Sequence, residues 1–191
     1  KRARPDIEPT VAFLCTRVRE SNVHDKQKLL RLLSYLQTTI DECRIIGANG
    51  VQSLFTWIDA ASAVHNNMRG RTGGTMTLGT GVLHKKSSQQ KINSRSSTEC
   101  ELIGMHEYLP YNLWMLNFLS AQGFVIKDNV IYQDNKSTIL MENNGRNSCT
   151  GNSRHIDIRY FWVTDMIQQK QIRIEYCATA AMLADFFTKP L

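Results

Sequence analysis

Residues 1–50 carry apolar side chains at helical spacing. Pro9 suits the first turn of a helix that we predict to continue to about Arg19. The spacing predicts a second helix over about 25–38, with lysine and arginine outside its apolar stripe. That stripe consists of Leu29, Leu30, Leu32, Leu33 and Leu36. Glycines at 47 and 50 indicate a linker after this helical segment.

From residue 53 the pattern changes to that of β-strands. We predict a first strand over 53–61 and a hairpin of strands 73–79 and 81–87, with glycines around its turn. Two later apolar runs, at 130–134 and 171–177, predict two more strands. Helices are predicted between and after them, starting at about 97, 137, 156 and 182.

The longest of these predicted helices begins at Ser97, which we expect to cap it, and ends near Gly123. Pro110 predicts a kink or a restart within it. The order β-β-β-α-β-α-β-α predicts an α/β fold, a mixed five-stranded sheet flanked by helices, with the helical segment in front.

Composition narrows the class of partner. The net charge is +6, the pI is about 9.2, and the hydrophobic share of 42% is that of a globular protein. A basic chain favours a polyanionic partner, although charge alone decides little. The five cysteines contain no Cys-x-x-Cys pair, so we expect neither a disulfide framework nor a zinc site, and a reducing intracellular compartment.

We expect no membrane association, because no apolar run reaches the roughly 18 residues that span a bilayer. The chain shows no signal peptide and does not begin with Met, so we expect a piece of a longer polyprotein.

Four acidic residues stand out because each ends a predicted strand or lies in a predicted helix: Asp59, Glu101, Asp134 and Asp185. Carboxylates without cysteine or histidine ligands suit hard cations, above all Mg²⁺, with Mn²⁺ as a substitute. Two such ions about 4 Å apart activate water and stabilise the leaving oxygen in phosphodiester hydrolysis. These acids therefore predict a metal-dependent nuclease.

Five stretches of sequence occur in an order typical of one family. They are Arg-Pro-Asp-Ile at 4–7, Ser-Ser-Thr-Glu-Cys-Glu at 96–101, Gln-Asp-Asn-Lys-Ser at 133–137, Arg-His-Ile-Asp-Ile-Arg-Tyr-Phe at 154–161 and Leu-Ala-Asp-Phe-Phe-Thr-Lys-Pro-Leu at 183–191. With them the chain resembles the C-terminal part of the reverse transcriptase of copia-type LTR retrotransposons.

The resemblance implies a ribonuclease H (RNase H) domain at 51–191, preceded at 1–50 by the end of the polymerase thumb or connection. It also implies two Mg²⁺ ions, an RNA/DNA hybrid as substrate, the upstream polymerase domain as a partner, and a cytoplasmic virus-like particle as the location. In such a sheet Asp59 and Asp134 face each other, and Glu101 leans over them.

Three of the acids have rivals or other roles. Glu99 competes with Glu101, although in the first helical turn it also complements the helix dipole. Asp157 is the reserve for Asp185, which we prefer because the fourth acid of this fold follows the last strand. Asp134 precedes a helix, so N-capping is its alternative role.

Basic residues cluster before the helix that carries Glu101, interleaved with serine, glutamine and asparagine. This composition favours phosphate and sugar contacts over base reading, and its alternative is a solvated strand edge. The candidate substrate contacts are Arg71, Lys85, Lys86, Lys91, Arg95 and, with a structural role equally open, His155.

The sequence thus predicts an endoribonuclease that cuts the RNA strand of RNA/DNA hybrids during reverse transcription. Two alternatives stay open. One is a non-catalytic module of the same fold that binds template-primer or braces the polymerase. The other is a strand transferase of the same superfamily, such as an integrase core, which the position of the Glu101 helix before the fourth strand disfavours.

Overall fold

The computed structural model describes residues 3–65, 67–145 and 162–189. Two helices come first, α1 (Glu8–Arg17) and α2 (Val23–Thr38), with a short 3₁₀ turn after α1. Pro9 lies in the first turn of α1, as predicted. The Asn22 side chain accepts a hydrogen bond from the backbone of Asp25, whose carboxylate accepts one from Asn22 in return. This capping box fixes the start of α2.

The leucine stripe of α2 is largely open to solvent. Leu29, Leu30 and Leu33 are each about half exposed, while α2 packs against α1. Helix α1 in turn contacts the edge of the main sheet and the last helix of the chain. The first helix therefore ties the segment to the sheet, and the second presents apolar side chains outward.

Within the described residues, seven strands follow. They are β1 (Gly47–Ala48), β2 (Ser53–Ala61), β3 (Arg71–Thr77), β4 (Gly79–Thr80), β5 (His84–Gln89), β6 (Asp128–Gln133) and β7 (Arg173–Tyr176). The main sheet has the order β5-β3-β2-β6-β7, and β1 pairs separately with β4. Strands β5, β3 and β2 are antiparallel neighbours, whereas β2, β6 and β7 run parallel. The predicted mixed five-stranded sheet is confirmed, and its hairpin lies about two residues from the predicted bounds.

The helices that flank the sheet are α3 (Ser97–Ala121), α4 (Lys136–Asn144), α5 (helical at 162–168) and the short α6 (Asp185–Thr188). Two details of α3 differ from prediction. Its N-cap is Ser96, whose hydroxyl accepts from the Glu99 backbone, rather than Ser97. It also runs unbroken through Pro110, which is exposed and removes only one backbone hydrogen bond from a helix anchored by its buried face.

Helix α3 lies across β2 and β3, and two glycines permit its close approach. A Cβ at Gly74 of β3 would lie 2.1 Å from the Tyr108 ring, and one at Gly104 of α3 would lie 3.1 Å from the Ala60 Cβ. At the far end, Asn112 donates to Thr56 and exchanges hydrogen bonds with Asn129. Packing and polar contacts together hold the start of α3 over the end of β2.

Candidate metal centre

Three carboxylates converge where β2 and β6 end. Asp59 lies two residues before the end of β2, and Asp134 directly follows β6. Glu101 lies in the second turn of α3. One carboxylate oxygen from each lies within 4.8 Å of the others. The parallel register, with Trp57 opposite Tyr132, explains the meeting of Asp59 and Asp134, because each lies two residues beyond that pair.

The burial of these acids perturbs their protonation. Asp59 and Glu101 are buried, and Asp134 is partly exposed. Burial, reinforced by the charges of Asp59 and Asp134, raises the pKa of Glu101 to about 9. Burial also raises the pKa of Asp59, against the opposing effect of a hydrogen bond from Thr188. Without a cation, burial and mutual repulsion therefore favour the protonated form within this cluster, most strongly at Glu101.

The donor set fits a hard divalent cation. Its donors are carboxylate oxygens, with neither thiolate nor imidazole in this three-residue cluster. Mg²⁺ and Mn²⁺ prefer such ligands, and a bound cation offsets the burial and the mutual repulsion that raise the pKa of Glu101.

Comparisons with known proteins show which sequences the chain is similar to. The chain is 27% identical over 187 residues to the retrovirus-related Pol polyprotein from transposon TNT 1-94 of Nicotiana tabacum. It is 30% identical over 191 residues to the corresponding polyprotein from transposon RE1 of Arabidopsis thaliana. These matches cover 97% and 98% of the chain.

The chain is related to the Pol polyproteins of copia-type transposons. It spans about one seventh of the length of those relatives, since the matches cover 14% and 13% of them. The chain matches no protein-family model.

The fold of this Pol-related chain is that of RNase H. LC11-RNase H1, isolated from compost by a metagenomic approach, superimposes on 71% of the chain and 92% of its own length. The TM-score is 0.51 at 11% sequence identity, so the likeness is one of fold. Within the described residues, no helix is long and apolar enough to cross a membrane.

Of the two neighbouring glutamates, Glu101 is in the three-acid cluster and Glu99 is not. Glu99 lies outside the three-acid cluster, and its carboxylate accepts a hydrogen bond from the backbone of Arg95 just before α3. Asp134 does not cap α4, because Asn135 does so by accepting from Ser137 and Thr138. Glu101 is thus in the cluster and Glu99 outside it, and Asp134 is in the cluster without the capping role open to it in the sequence.

Asp185 lies near the three acids without joining them. It begins α6, pairs with Lys189, and its charge contributes to the raised pKa of Asp59. Asp157, the reserve for this position, lies outside the described residues, as does His155. The identity of a fourth acid stays a prediction.

The predicted basic contacts fall into different environments. Lys91 and Arg95 are exposed in the loop before α3, and Lys85 is half-buried on β5. The Lys86 ammonium donates to the Glu107 backbone carbonyl at 3.2 Å and lies 5.2 Å from the centre of the Tyr111 ring.

Arg71, which the sequence predicts as a contact of substrate, is almost fully buried. Only 2% of its surface is exposed, and its Nη1 donates to the Ser87 hydroxyl at 2.8 Å. This burial and the contact with Ser87 favour a structural role for the guanidinium, and its contact with substrate stays a prediction.

Two hydroxyls that the sequence reasoning passed over contact the acids. The Thr188 hydroxyl donates to Oδ2 of Asp59, and the Thr179 hydroxyl donates to Oδ2 of Asp134 at 2.9 Å. Thr188 carries a signal in the sequence, since it follows Asp185 by three residues and therefore shares its helical face. Thr179, in a 3₁₀ turn after β7, carries none.

Proposed function

We propose that the chain is an RNase H that hydrolyses the RNA strand of RNA/DNA hybrids during reverse transcription. The observation that supports it most is the convergence of Asp59, Glu101 and Asp134, from two strands and a helix, within one cation's reach. Relatedness to transposon Pol polyproteins and the RNase H fold support the same reaction class.

In this proposal the chain's own carboxylates bind and orient two divalent cations. Asp59, Glu101 and Asp134 are the central ligands, and Asp185, with Asp157 in reserve, is the fourth. When bound, such ions supply an activated water and stabilise the departing 3′-oxygen. The raised pKa of Glu101 means that the cations compete with a proton for the site, so binding is expected to release that proton.

The basic residues near the start of α3 are proposed to bind the hybrid backbone. Exposed Lys91 and Arg95 precede the helix that carries Glu101, with Lys85 and Lys86 on the adjoining strand. Contacts of this type are with phosphate and sugar, so we expect recognition by helix shape and 2′-hydroxyls rather than by sequence.

We also propose that residues 1–50 are the end of the polymerase thumb or connection and that 51–191 form the nuclease domain, in a particle within the cytoplasm. The contacts of α1 with β5 and α6 support a fixed attachment between these parts. The exposed leucines of α2 fit a partner that lies upstream in the polyprotein.

The test compares three substrates of one sequence: an RNA/DNA hybrid, duplex DNA and duplex RNA, each with Mg²⁺ or with EDTA. We expect cleavage of the hybrid RNA strand alone, and only with the metal. Binding of the hybrid without cleavage would favour the non-catalytic module. Metal-dependent strand joining or cutting of duplex DNA would favour the strand transferase.

A further inference from the structure

The hydroxyl of Thr188 is placed to hold one catalytic carboxylate. Thr188 is almost fully buried, and its Oγ1 lies within hydrogen-bonding distance of both Asp59 Oδ2 and the Asp185 backbone carbonyl. A hydroxyl has one proton to donate. The carboxylate is both charged and the nearer acceptor, so the proton is donated to Asp59.

Thr179 makes the same contact with a second acid. Its Oγ1 donates to Asp134 Oδ2, from the 3₁₀ turn that follows β7. Asp59 and Asp134 thus each have one oxygen engaged by a threonine hydroxyl from the last thirteen residues of the chain, 179–191. A carboxylate held through one oxygen has its rotation fixed and keeps its second oxygen for a cation.

Helix α6 has only four residues and needs anchors to present Thr188. The first is close packing against Gly73 of β3, whose lack of a side chain lets α6 approach the sheet. A Cβ at that position would lie 2.6 Å from Thr188 Cγ2 and 2.8 Å from the Ala184 carbonyl oxygen. Ser87 is another, because its hydroxyl donates to the Phe187 carbonyl at 2.6 Å. Buried Arg71 donates to that same Ser87 hydroxyl. A chain of hydrogen bonds therefore runs from Arg71 through Ser87 to the residue before Thr188.

We propose that Thr188 and Thr179 are positioning residues that orient Asp59 and Asp134 for metal binding, and that Ser87 and Arg71 support Thr188 by fixing α6. The inference rests on the proposed metal-dependent function. In this proposal, hydroxyls of residues in the segment 179–191 orient carboxylates of a site whose ligands come from β2, β6 and α3.

The test measures Mn²⁺ affinity by calorimetry on the 191-residue chain, independently of cleavage. Thr188→Val and Thr179→Val keep the side-chain shape and remove the hydroxyl, whereas Thr188→Ser and Thr179→Ser keep the hydroxyl. We expect each valine variant to bind Mn²⁺ about tenfold more weakly or worse, and each serine variant to retain most of the affinity. Hybrid cleavage by the valine variants should recover as Mn²⁺ is raised, with the KM for hybrid unchanged.

The control is Thr75→Val, a buried threonine of β3 whose hydroxyl has no hydrogen-bond partner among the described residues. It should bind Mn²⁺ as the unchanged chain does. Thr179 is exposed, so its valine variant keeps the test valid if Thr188→Val does not fold.

Unchanged Mn²⁺ affinity in a folded Thr179→Val, or in a folded Thr188→Val, would overturn the role of that threonine. Failure of the proposed function would look different. The unchanged chain would bind Mn²⁺ and the valine variants would bind it more weakly, but none of these proteins would cleave the hybrid.

Discussion

Gly104 of α3 lies directly against Ala60 of β2, where a Cβ on the glycine would come within 3.1 Å of the alanine Cβ. Ala60 follows Asp59 in the chain, and Gly104 lies three residues after Glu101. This close approach between helix and strand lies beside both acids, so we expect it to influence how near the Glu101 carboxylate comes to that of Asp59.

A larger side chain at that contact is expected to separate the two acids. Gly104→Val should lower the free energy of unfolding by about 1–3 kcal/mol, because it overpacks the interface of α3 and β2. It should also weaken Mn²⁺ binding, measured by calorimetry. Ala121→Val at the exposed end of the same helix is the control, and it should change neither quantity appreciably. Full metal affinity in Gly104→Val would show that this contact does not set the site.

The raised pKa of Glu101 predicts how stability depends on pH. In the folded protein the Glu101 carboxyl keeps its proton up to about pH 9, whereas in the unfolded chain it loses the proton near its ordinary pKa of 4.5. The folded state thus binds the extra proton in this window, so in EDTA stability should fall as the pH rises from about 5 to 9.

Glu101→Gln removes that proton equilibrium. Denaturant unfolding of this variant in EDTA should show a shallower decline with pH than the unchanged chain, and higher stability at pH 9. Glu99→Gln, at the start of the same helix, should retain the original slope. Parallel pH profiles for the unchanged chain and Glu101→Gln would mean that Glu101 is not the perturbed group.

The fourth acid can be decided by a pair of variants. Asp185 adds negative charge near Asp59, so Asp185→Asn should reduce hybrid cleavage in Mg²⁺, and less severely in Mn²⁺. Asp157→Asn should be milder. A folded but inactive Asp157→Asn beside an active Asp185→Asn would assign the fourth carboxylate to the other position.

Charge neutralisation tests the proposed substrate surface. Replacing Lys85, Lys86 and Lys91 together by glutamine should weaken hybrid binding and flatten its salt dependence, because fewer counterions are released. Fluorescence anisotropy across a salt series measures both. Arg71→Met is the comparison: since Arg71 is buried, it should change unfolding stability while leaving the salt slope alone. An unchanged dependence of hybrid binding on salt in the triple variant would favour the alternative, in which these lysines protect a solvated strand edge and do not contact substrate.

Local pattern was sufficient for much of this fold. The extended run that carries Asp59 and the apolar run that ends at Asp134 could be read from the sequence as strands, and the resemblance to the RNase H fold implied that the two strands are neighbours. Helical spacing after the serines at 96 and 97 predicted the helix, and the resemblance to the retrotransposon family favoured Glu101 over Glu99 within it. The elements depend on periodicity, which a sequence displays directly, whereas the meeting of the acids was an implication of the resemblance.

Features that depend on distant residues could not be read in this way. The hydrogen bond from Thr188 to Asp59 joins residues 129 positions apart, and the burial of Arg71 depends on how β3, β5 and α6 pack. A basic residue next to other basic residues in the sequence is expected to be exposed, and only the three-dimensional contacts show that Arg71 is buried. The continuity of α3 through Pro110 likewise reflects tertiary packing overriding a local preference.

The account depends most on the three converging carboxylates, and hybrid cleavage by single variants tests them most directly. Asp59→Asn, Glu101→Gln and Asp134→Asn should each remove most Mg²⁺-dependent cleavage while remaining folded and, without metal, as stable as the unchanged chain or more so. Asp59→Asn and Asp134→Asn remove a charge from a repelling cluster, and Glu101→Gln replaces a buried acid that otherwise takes up a proton on folding. Substantial Mg²⁺-dependent cleavage by a folded Asp134→Asn or Asp59→Asn would contradict the assignment of this cluster as the catalytic metal centre.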